Sequence, residues 1–171
     1  MGPKGKPAAG GSDEVKTLTL KVVGGEAPSN AVLSARLAPF GCNPKKSGEE
    51  IAKQTKEFTN IRIYVTLHIQ SREIKKVDLL PCCSSYIIKE LKEPVRQRRK
   101  NKGALHPHTG NIQFKNLKPI AEKMLATKSL ARTLKGAMLE VVGSCKAIGC
   151  TIDNKNPKAV TKDIKTGKYQ I

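Results

Sequence analysis

Residues 61–70 of this chain, IRIYVTLHIQ, alternate apolar and polar side chains almost without a break. A period of two places all the apolar side chains on one face of an extended strand and the polar ones on the other. Such a strand buries one face under a covering layer and leaves the other in water. Ser71 and Arg72 then reverse the chain into residues 73–80, EIKKVDLL, which predict the second strand of a hairpin. The first half of the chain is therefore expected to form a small sheet.

A strand and a helix precede this hairpin. Residues 15–23, VKTLTLKVV, also alternate, and glycines end the strand that they predict. In residues 42–58, Asn43 is a favourable N-cap and Pro44 a favourable first helical residue, so we predict a helix of about three turns. The intervening segment, including the proline-bearing and basic residues 36–48, is predicted to be a stiff loop. The first domain is thus a sheet covered by one helix.

The spacing of apolar residues changes after Pro81. This proline lacks a backbone N–H donor and ends the last strand. Apolar residues then recur at helical spacing in YIIKELKE, from Asn111 onward in NLKPIAEKML, in SLARTLKG with Ser129 as its cap, and in AMLEVVGSCKAIG. Asn156 and Pro157 start a last helix, which Gly167 ends. The predicted fold class is α+β with two small domains, the second a helical bundle. We assign the chain to a flexible tail (1–12), an N-terminal α/β domain (13–80), a linker (81–83), a helical domain (84–154) and a helical extension (155–171).

The charge of the chain points to a polyanionic partner. There are 32 Lys and Arg residues against 14 Asp and Glu, a formal net charge of +18. Residues 1–85 carry a net charge of +5 and residues 86–171 a net charge of +13. The second half is therefore expected to hold most of the binding surface, although a charge that serves only solubility is the simpler alternative.

Two stretches of the second half are candidates for contact with nucleic acid. The segment Arg96–Lys102 is rich in cations and has no acidic residue, so its side chains can neutralise phosphates. In AMLEVVGSCKAIG, small side chains at Gly143, Ser144 and Ala147 share one helical face. A glycine inside a soluble helix costs about 1 kcal/mol relative to alanine, so either another helix or a nucleic-acid backbone is expected to approach closely. The neighbouring Lys146 favours nucleic acid.

Other classes of function find little support. The phosphate, dinucleotide, zinc-protease and serine-nucleophile motifs are absent, and we predict that the chain is not an enzyme and has no cofactor. Five cysteines without C-x-x-C spacing suit a reducing compartment, and the three histidines do not complete a metal site. The scattered aromatic residues disfavour a platform for stacking single-stranded bases. No segment is apolar enough to span a membrane or to act as a signal peptide.

Several segments, taken together in order, resemble the eukaryotic cytosolic form of one ribosomal protein family, called L eleven in bacteria and L twelve in eukaryotes. They are APFGCNPKKSGEEIAKQT, IRIYVTLHIQSR, SSYIIKELKEPVRQRRKNK, HTGNI and SLARTLKGAMLEVVGSCKAIGCTID. The resemblance covers nearly the whole chain. It implies a structural protein of the large subunit in the cytoplasm, bound at the stalk base to the rRNA of the GTPase-associated centre, beside the stalk scaffold protein and translational GTPases such as elongation factors. No homo-oligomer is expected.

The resemblance also implies which residues make the contacts. The C-terminal domain, homeodomain-like in layout, is expected to bind rRNA through Arg98, Arg99, Lys100, Lys102, Thr109, Gly110, Asn111, Ser129, Arg132, Gly143, Ser144, Lys146 and Ala147. The N-terminal loop that faces rRNA and the factors is expected to consist of Pro39, Gly41, Pro44, Lys45 and Lys46. The chain departs from the family in this region at Pro28, Ala35 and Ala38, so the binding of thiopeptide antibiotics is not carried over.

Two alternatives remain at this point. A helical basic domain is also typical of helix-turn-helix proteins that read DNA, and such a protein would discriminate base sequence in a duplex. An enzyme with an unusual site is the other alternative, and no residue pattern favours it.

Overall fold

The computed structural model describes residues 15–94 and 108–169, and these form two compact units. The first contains the chain up to Thr59 together with Tyr64–Leu80, and the second contains Asn60–Ile63 and the chain from Pro81 onward. The first has a sheet with helices and the second is mainly helical, which confirms the α+β class. The tail (1–12) lies outside the described residues. Within this part of the chain, no helix has the length and apolar character needed to cross a membrane.

The sheet of the first unit has three strands: β1 (Lys16–Val23), β2 (Arg62–Gln70) and β3 (Glu73–Leu80), in the order β1-β2-β3. The predicted alternation along β2 is confirmed, because its apolar side chains from Ile63 to Ile69 are at most 3% exposed. Ser71 and Arg72 form the hairpin turn with φ values of 51° and 66°. All three predicted strands are therefore present.

An irregularity explains why β3 lacks a clean alternation. The strand pairs antiparallel with β2, but the register shifts between His68 and Ile69, which face Lys76 and Ile74 respectively. The extra residue, Lys75, therefore forms a bulge. The bulge turns Ile74 and Val77, three positions apart in sequence, toward the same side of the sheet.

The helices of the first unit are α1 (Asn30–Leu37) and α2 (Pro44–Gln54), each followed by a 3-10 turn, Ala38–Phe40 and Lys56–Phe58. The predicted start of α2 is confirmed, since the side chain of Asn43 accepts a hydrogen bond from the Lys45 N–H at 3.1 Å. The prediction of a loop before Asn43 is wrong, because α1 and the 3-10 turn that follows it occupy residues 30–40 of that segment. The burial of α1 depends on only two leucines, Leu33 and Leu37.

The two helices of this unit pack closely because α2 has residues with small side chains where the helices meet. Ser47 and Gly48 are buried, and a Cβ atom added at Gly48 would lie 3.2 Å from Cδ1 of Leu33. The glycine in α2 is thus explained by contact with a neighbouring helix of the same chain.

The second unit contains four helices, α3 (Cys83–Leu91), α4 (Phe114–Thr127), α5 (Leu134–Ile148) and α6 (Pro157–Lys165). A short parallel pair, β4 (Asn111–Ile112) and β5 (Thr151–Ile152), joins the segments before α4 and after α5. α5 packs against α3, α4 and α6 around a common apolar core that includes Leu117, Met138 and Ile164. Cys83, assigned by the sequence to the linker, is the first residue of α3.

Two sequence predictions for this unit are wrong. Asn111 begins a strand rather than a helix, and α4 begins at Phe114. The separate helix predicted from Ser129 does not form, because Thr133 is extended and its side chain accepts the Gly136 N–H at 3.3 Å, which starts α5 there. The last helix is as predicted, with the Asn156 side chain accepting from the Lys158 N–H at 3.0 Å.

Candidate nucleic-acid interface

Helix α5 has one buried and one open side. The buried side consists of Ala137, Met138, Val141, Val142 and Cys145, all at most 1% exposed. The open side consists of Glu140, Gly143, Ser144 and Ala147, which are exposed or half-buried. We call these four residues the small face. The helix therefore contributes side chains to the core of its unit on one side. Its other side is a surface made mainly of small side chains.

Nothing in the described chain covers the small face at its centre. A Cβ atom added at Gly143 would meet no neighbouring element among these residues within 4 Å. The Ser144 hydroxyl donates to the Glu140 carbonyl at 3.1 Å and also forms a hydrogen bond with the Cys83 thiol at the start of α3, so α3 borders the face at that residue. Of the two explanations for a glycine in this helix, packing of another described helix against Gly143 is excluded by the open space at that position. Gly48 in α2 shows how such packing looks when it does occur.

Exposed cations lie on or just before α5, and the small face itself includes the carboxylate of Glu140. Lys146 on α5 is exposed, and so is Arg132, just before the helix begins. Ser129, another residue of the predicted set, is half-buried, and its hydroxyl bonds to the Glu140 carboxylate with 2.7 Å between the oxygens. The structure thus brings Ser129, through Glu140, next to the small face.

The predicted basic loop enters and leaves through a hydrogen-bonded stem. Arg98, Arg99, Lys100 and Lys102 lie outside the described residues, but both ends of the loop are described. The carboxylate of Glu93 bonds to Nδ1 of His108 at 2.6 Å and accepts the Gly110 N–H at 3.3 Å. The His108 N–H donates to the carbonyl of Ile148 at 3.2 Å. The stem is therefore tied to the C-terminal end of α5.

Sequence reasoning missed Glu93 and His108 as residues of this stem. They are 15 positions apart and meet only because α3 and β4 lie side by side. Both side chains are largely buried, at 16% and 11% exposure. The one available signal was a histidine and a glutamate at the two ends of a basic segment.

Three residues predicted to contact RNA lie at this stem, and two of them have structural roles. Gly110 is needed by close packing, since an added Cβ would lie 2.6 Å from Cδ2 of Leu91. Oδ1 of Asn111 accepts hydrogen bonds from the Thr151 hydroxyl at 3.1 Å and the Asn154 N–H at 2.9 Å. Thr109 is exposed. Asn111 is exposed as well, but its Oδ1 is engaged in these two hydrogen bonds.

Replacing Glu93 with alanine is expected to lower the free energy of unfolding by about 1–3 kcal/mol, because it leaves a ring nitrogen and a backbone N–H unsatisfied in a largely buried place. Urea denaturation followed by circular dichroism measures the change. Glu90→Ala is the matched control, since Glu90 makes a solvent-exposed hydrogen bond to Asn116 and its loss is expected to cost about 0.5 kcal/mol. Equal losses in the two variants would contradict a structural role for the stem.

The basic segment of the N-terminal unit is more ordered than the sequence indicated. Pro39 lies in the 3-10 turn after α1, and Gly41 follows it with a φ of +65°, a conformation that favours glycine. Pro44 is the first residue of α2, and Lys45 and Lys46 are exposed in its first turn. Of the five predicted residues, Pro39 and Gly41 therefore lie in the turn between α1 and α2, and Pro44, Lys45 and Lys46 form the first turn of α2 instead of an open loop.

Cys42, Cys145 and Cys150 are buried, whereas Cys82 and Cys83 are half-buried, and the hydrogen bond that Cys145 and Cys150 share lowers the pKa of Cys150. Burial raises the pKa of the Cys42 and Cys83 thiols, and a hydrogen bond with Cys150 together with burial raises the pKa of Cys145. Raised pKa values keep thiols protonated and weakly nucleophilic. Over residues 15–94 and 108–169, no group of three His, Cys, Asp or Glu side chains is arranged to hold a metal ion.

Comparison with known proteins identifies both halves of the chain. Residues 18–74 match the family described as "Ribosomal protein L11, N-terminal domain", and residues 80–152 match "Ribosomal protein L11, RNA binding domain". Large ribosomal subunit protein uL11A of Schizosaccharomyces pombe is 40% identical over 171 residues, which is 100% of this chain and 98% of the relative. The uL11A protein of Saccharomyces cerevisiae is 42% identical with the same coverage of 100% and 98%. The uL11z protein of Arabidopsis thaliana is 37% identical over 172 residues, with 100% and 98% covered.

These findings confirm the resemblance drawn from the sequence segments. The relatives are structural proteins of the ribosome, which confirms the prediction that the chain is not an enzyme. The small face and the stem of the basic loop both lie within the part that matches the RNA-binding domain. The chain therefore belongs to the ribosomal protein L11 family, structural proteins of the large ribosomal subunit whose C-terminal part is an RNA-binding domain.

Proposed function

We propose that this chain binds the rRNA of the GTPase-associated centre at the stalk base of the cytoplasmic large subunit and supports the action of translational GTPases there. The observation that carries the proposal is the open small face of α5, on the half of the chain that has a net charge of +13. The glycine, serine and alanine of this face let another backbone approach closely, with Glu140 at the N-terminal end of the face. Positive charge selects a phosphate backbone as that partner.

The shape of the surface favours folded RNA over duplex DNA. A recognition helix that reads DNA inserts long polar side chains into the major groove to reach base edges. The small face has a glycine and an alanine at that place, and its serine hydroxyl is already bonded to the Glu140 carbonyl and to Cys83. Such a surface recognises shape, as proteins that bind compact RNA do.

The contacts of the RNA-binding half follow from this arrangement. Gly143, Ser144 and Ala147 lie against the RNA, and Lys146 and Arg132 neutralise phosphates beside it. The loop with Arg98, Arg99, Lys100 and Lys102 adds charge from a stem that is fixed to α5. Thr109 contributes at the base of that loop.

The N-terminal domain, residues 13–80, faces the factors and the neighbouring rRNA in this proposal. Pro39, Gly41 and Pro44 hold the segment between α1 and α2 in one conformation, and Lys45 and Lys46 project from it. A preformed surface lowers the entropy cost of binding. The stalk scaffold protein is a further partner, and the chain acts as a single copy.

The decisive experiment measures binding of the full chain to the rRNA fragment of the GTPase-associated centre across a salt series. A scrambled RNA of equal length and a duplex DNA of equal charge serve as controls. We expect tight binding to the rRNA fragment and weak, salt-sensitive binding to the controls. Equal affinity for all three would contradict the proposal, and preference for a particular DNA sequence would support the helix-turn-helix alternative.

Reversing the charge of Arg98 and Arg99, with both changed to glutamate, is expected to reduce the salt dependence of binding. Each phosphate contact contributes a slope of roughly 0.7 to 0.9 in a plot of log affinity against log salt. Loss of two contacts therefore lowers the slope by about 1.5. The matched control is reversal of Lys16 and Lys21 in β1, which should leave the slope unchanged. An identical slope in the arginine variant would show that these two side chains contact no phosphate.

A further inference from the structure

The turn between α4 and α5 contains a leucine, Leu130, whose side chain is not packed in the core. The side chain of Leu130 is 96% exposed, whereas the other exposed large apolar residues of the described chain, Val15, Val32 and Tyr64, are 53%, 56% and 37% exposed. Single exposed apolar side chains are common on protein surfaces, and a partner that covers one removes apolar area from water, which is favourable. Leu130 was not among the residues predicted from the sequence to bind RNA.

The turn around Leu130 is held in one conformation. The Ser129 hydroxyl accepts the Ala131 N–H at 3.0 Å and bonds to the Glu140 carboxylate at 2.7 Å, and the Ser129 N–H donates to the Met124 carbonyl at 2.8 Å. Ala131 packs against α5 at Gly136, where an added Cβ would lie only 3.0 Å from the Ala131 Cβ. Hydrogen bonds and packing on both sides of Leu130 therefore present it to solvent at a fixed place.

The place is next to the small face. Glu140, which bonds to Ser129, is itself a member of that face, so the turn borders its N-terminal end. Exposed Lys128 and Arg132 stand on either side of Leu130, and the sequence from Lys123 to Leu139 contains no acidic residue. The surroundings of the leucine thus border the proposed RNA surface and contain two exposed cations, Lys128 and Arg132, together with the Glu140 carboxylate that bonds to Ser129.

We propose that Leu130 is a contact residue for RNA, packing its side chain on an exposed base or ribose at the edge of the surface bound by the small face. This inference rests on the proposed function. Lys128 and Arg132 hold phosphates on either side, and the leucine removes apolar nucleic-acid surface from water. A protein partner is the less favoured occupant because the exposed residues two positions to either side of the leucine, Lys128 and Arg132, are cationic instead of apolar.

The test compares full-length variants for binding to the same rRNA fragment. Leu130→Ala is expected to weaken binding about 5- to 10-fold, since a leucine side chain loses most of its contact area. The salt slope should not change because no phosphate contact is lost. Leu130→Met, which keeps the apolar volume, should retain most of the affinity. Val32→Ala, a truncation of an exposed apolar residue in the other unit, should bind like the wild type.

A second variant separates the roles within the turn. Arg132→Gln is expected to lower the salt slope by about 0.7 to 0.9, as loss of one phosphate contact requires. Thermal unfolding of Leu130→Ala should match the wild type, so that the effect on binding is not a folding defect. Wild-type affinity for the Leu130→Ala variant would overturn the inference and would point to a protein partner for the leucine. Failure of the wild type itself to prefer the fragment would instead overturn the proposed function.

Discussion

Replacing Gly143 with leucine is expected to weaken binding to the rRNA fragment about 10- to 100-fold. Overfilling a closely packed contact costs about 1–3 kcal/mol, and each 1.4 kcal/mol is about tenfold in affinity. Gly143 lies at the centre of the small face, where a leucine would stand between the helix and any surface that fits it. Direct binding measurements at one salt concentration give the change. Gly143→Ala should show a smaller loss because it adds only one methyl group.

The same replacement should not harm the fold. The position is open in the described chain, and leucine ranks next to alanine in helix propensity, whereas glycine is about 0.8–1 kcal/mol less favourable than alanine. The urea midpoint of Gly143→Leu should therefore equal or exceed that of the wild type. A loss of binding with unchanged or increased stability is the combined signature of a surface that meets a partner.

The matched control is Ala159→Leu, an equal type of enlargement at an exposed position of α6. It should fold normally and bind like the wild type, since α6 is not part of the proposed surface. Unchanged affinity in Gly143→Leu would remove the small face from the interface. Equal loss in both variants would mean that any added bulk on this unit disturbs binding, and the small face would have no special role.

Replacing Leu117 with alanine is expected to lower the free energy of unfolding of the second unit by about 2–5 kcal/mol. The side chain is fully buried at 0% exposure in the core shared by α4 and α5, so the truncation loses apolar burial and leaves a cavity. Domains of this kind have about 5–15 kcal/mol of total stability, so the loss is a large part of it. Urea denaturation followed at the helical band of circular dichroism is the measurement.

The chain supplies its own control for this prediction. Leu130→Ala is the same substitution at a residue that is 96% exposed, and its midpoint should match that of the wild type. Excess rRNA fragment should raise the midpoint of Leu117→Ala by mass action, provided that the native fold still binds. A midpoint of Leu117→Ala equal to that of Leu130→Ala would contradict the assignment of Leu117 to the core.

Helices and strands with a regular spacing of apolar residues or a clear capping residue could be predicted from the sequence. The alternation in β2 and the N-cap of α2 are local signals, and both are present in the structure. Helix α1 has only Leu33 and Leu37 as its buried residues, too few to distinguish it from a loop. The start of α5 was misplaced because Ser129 and Thr133 are both plausible caps. Only the tertiary bond of Ser129 to Glu140 distinguishes them.

The candidate site was likewise only partly predictable from the sequence. A glycine inside a soluble helix can be noticed in any sequence, and Gly48 and Gly143 give the same signal. The fold alone shows that the first is covered by Leu33 and the second is open. The stem formed by Glu93 and His108 and the exposure of Leu130 depend on which segments become neighbours, and this information is not local.

Two separate segments of the chain are attached to α5, and the helix fixes the distance between the two attachment points. Ser129 is bonded near the start of the open side at Glu140, and His108 is bonded at the end of the helix at Ile148. Eight residues of helix at about 1.5 Å each keep these two attachment points about 12 Å apart along the axis. A single inserted residue between them would change this spacing by about 1.5 Å and rotate one end by about 100° relative to the other. Helix α5 thus fixes the distance between these two attachment points. The fold should therefore tolerate substitutions at exposed positions of α5 far better than an insertion or deletion within it.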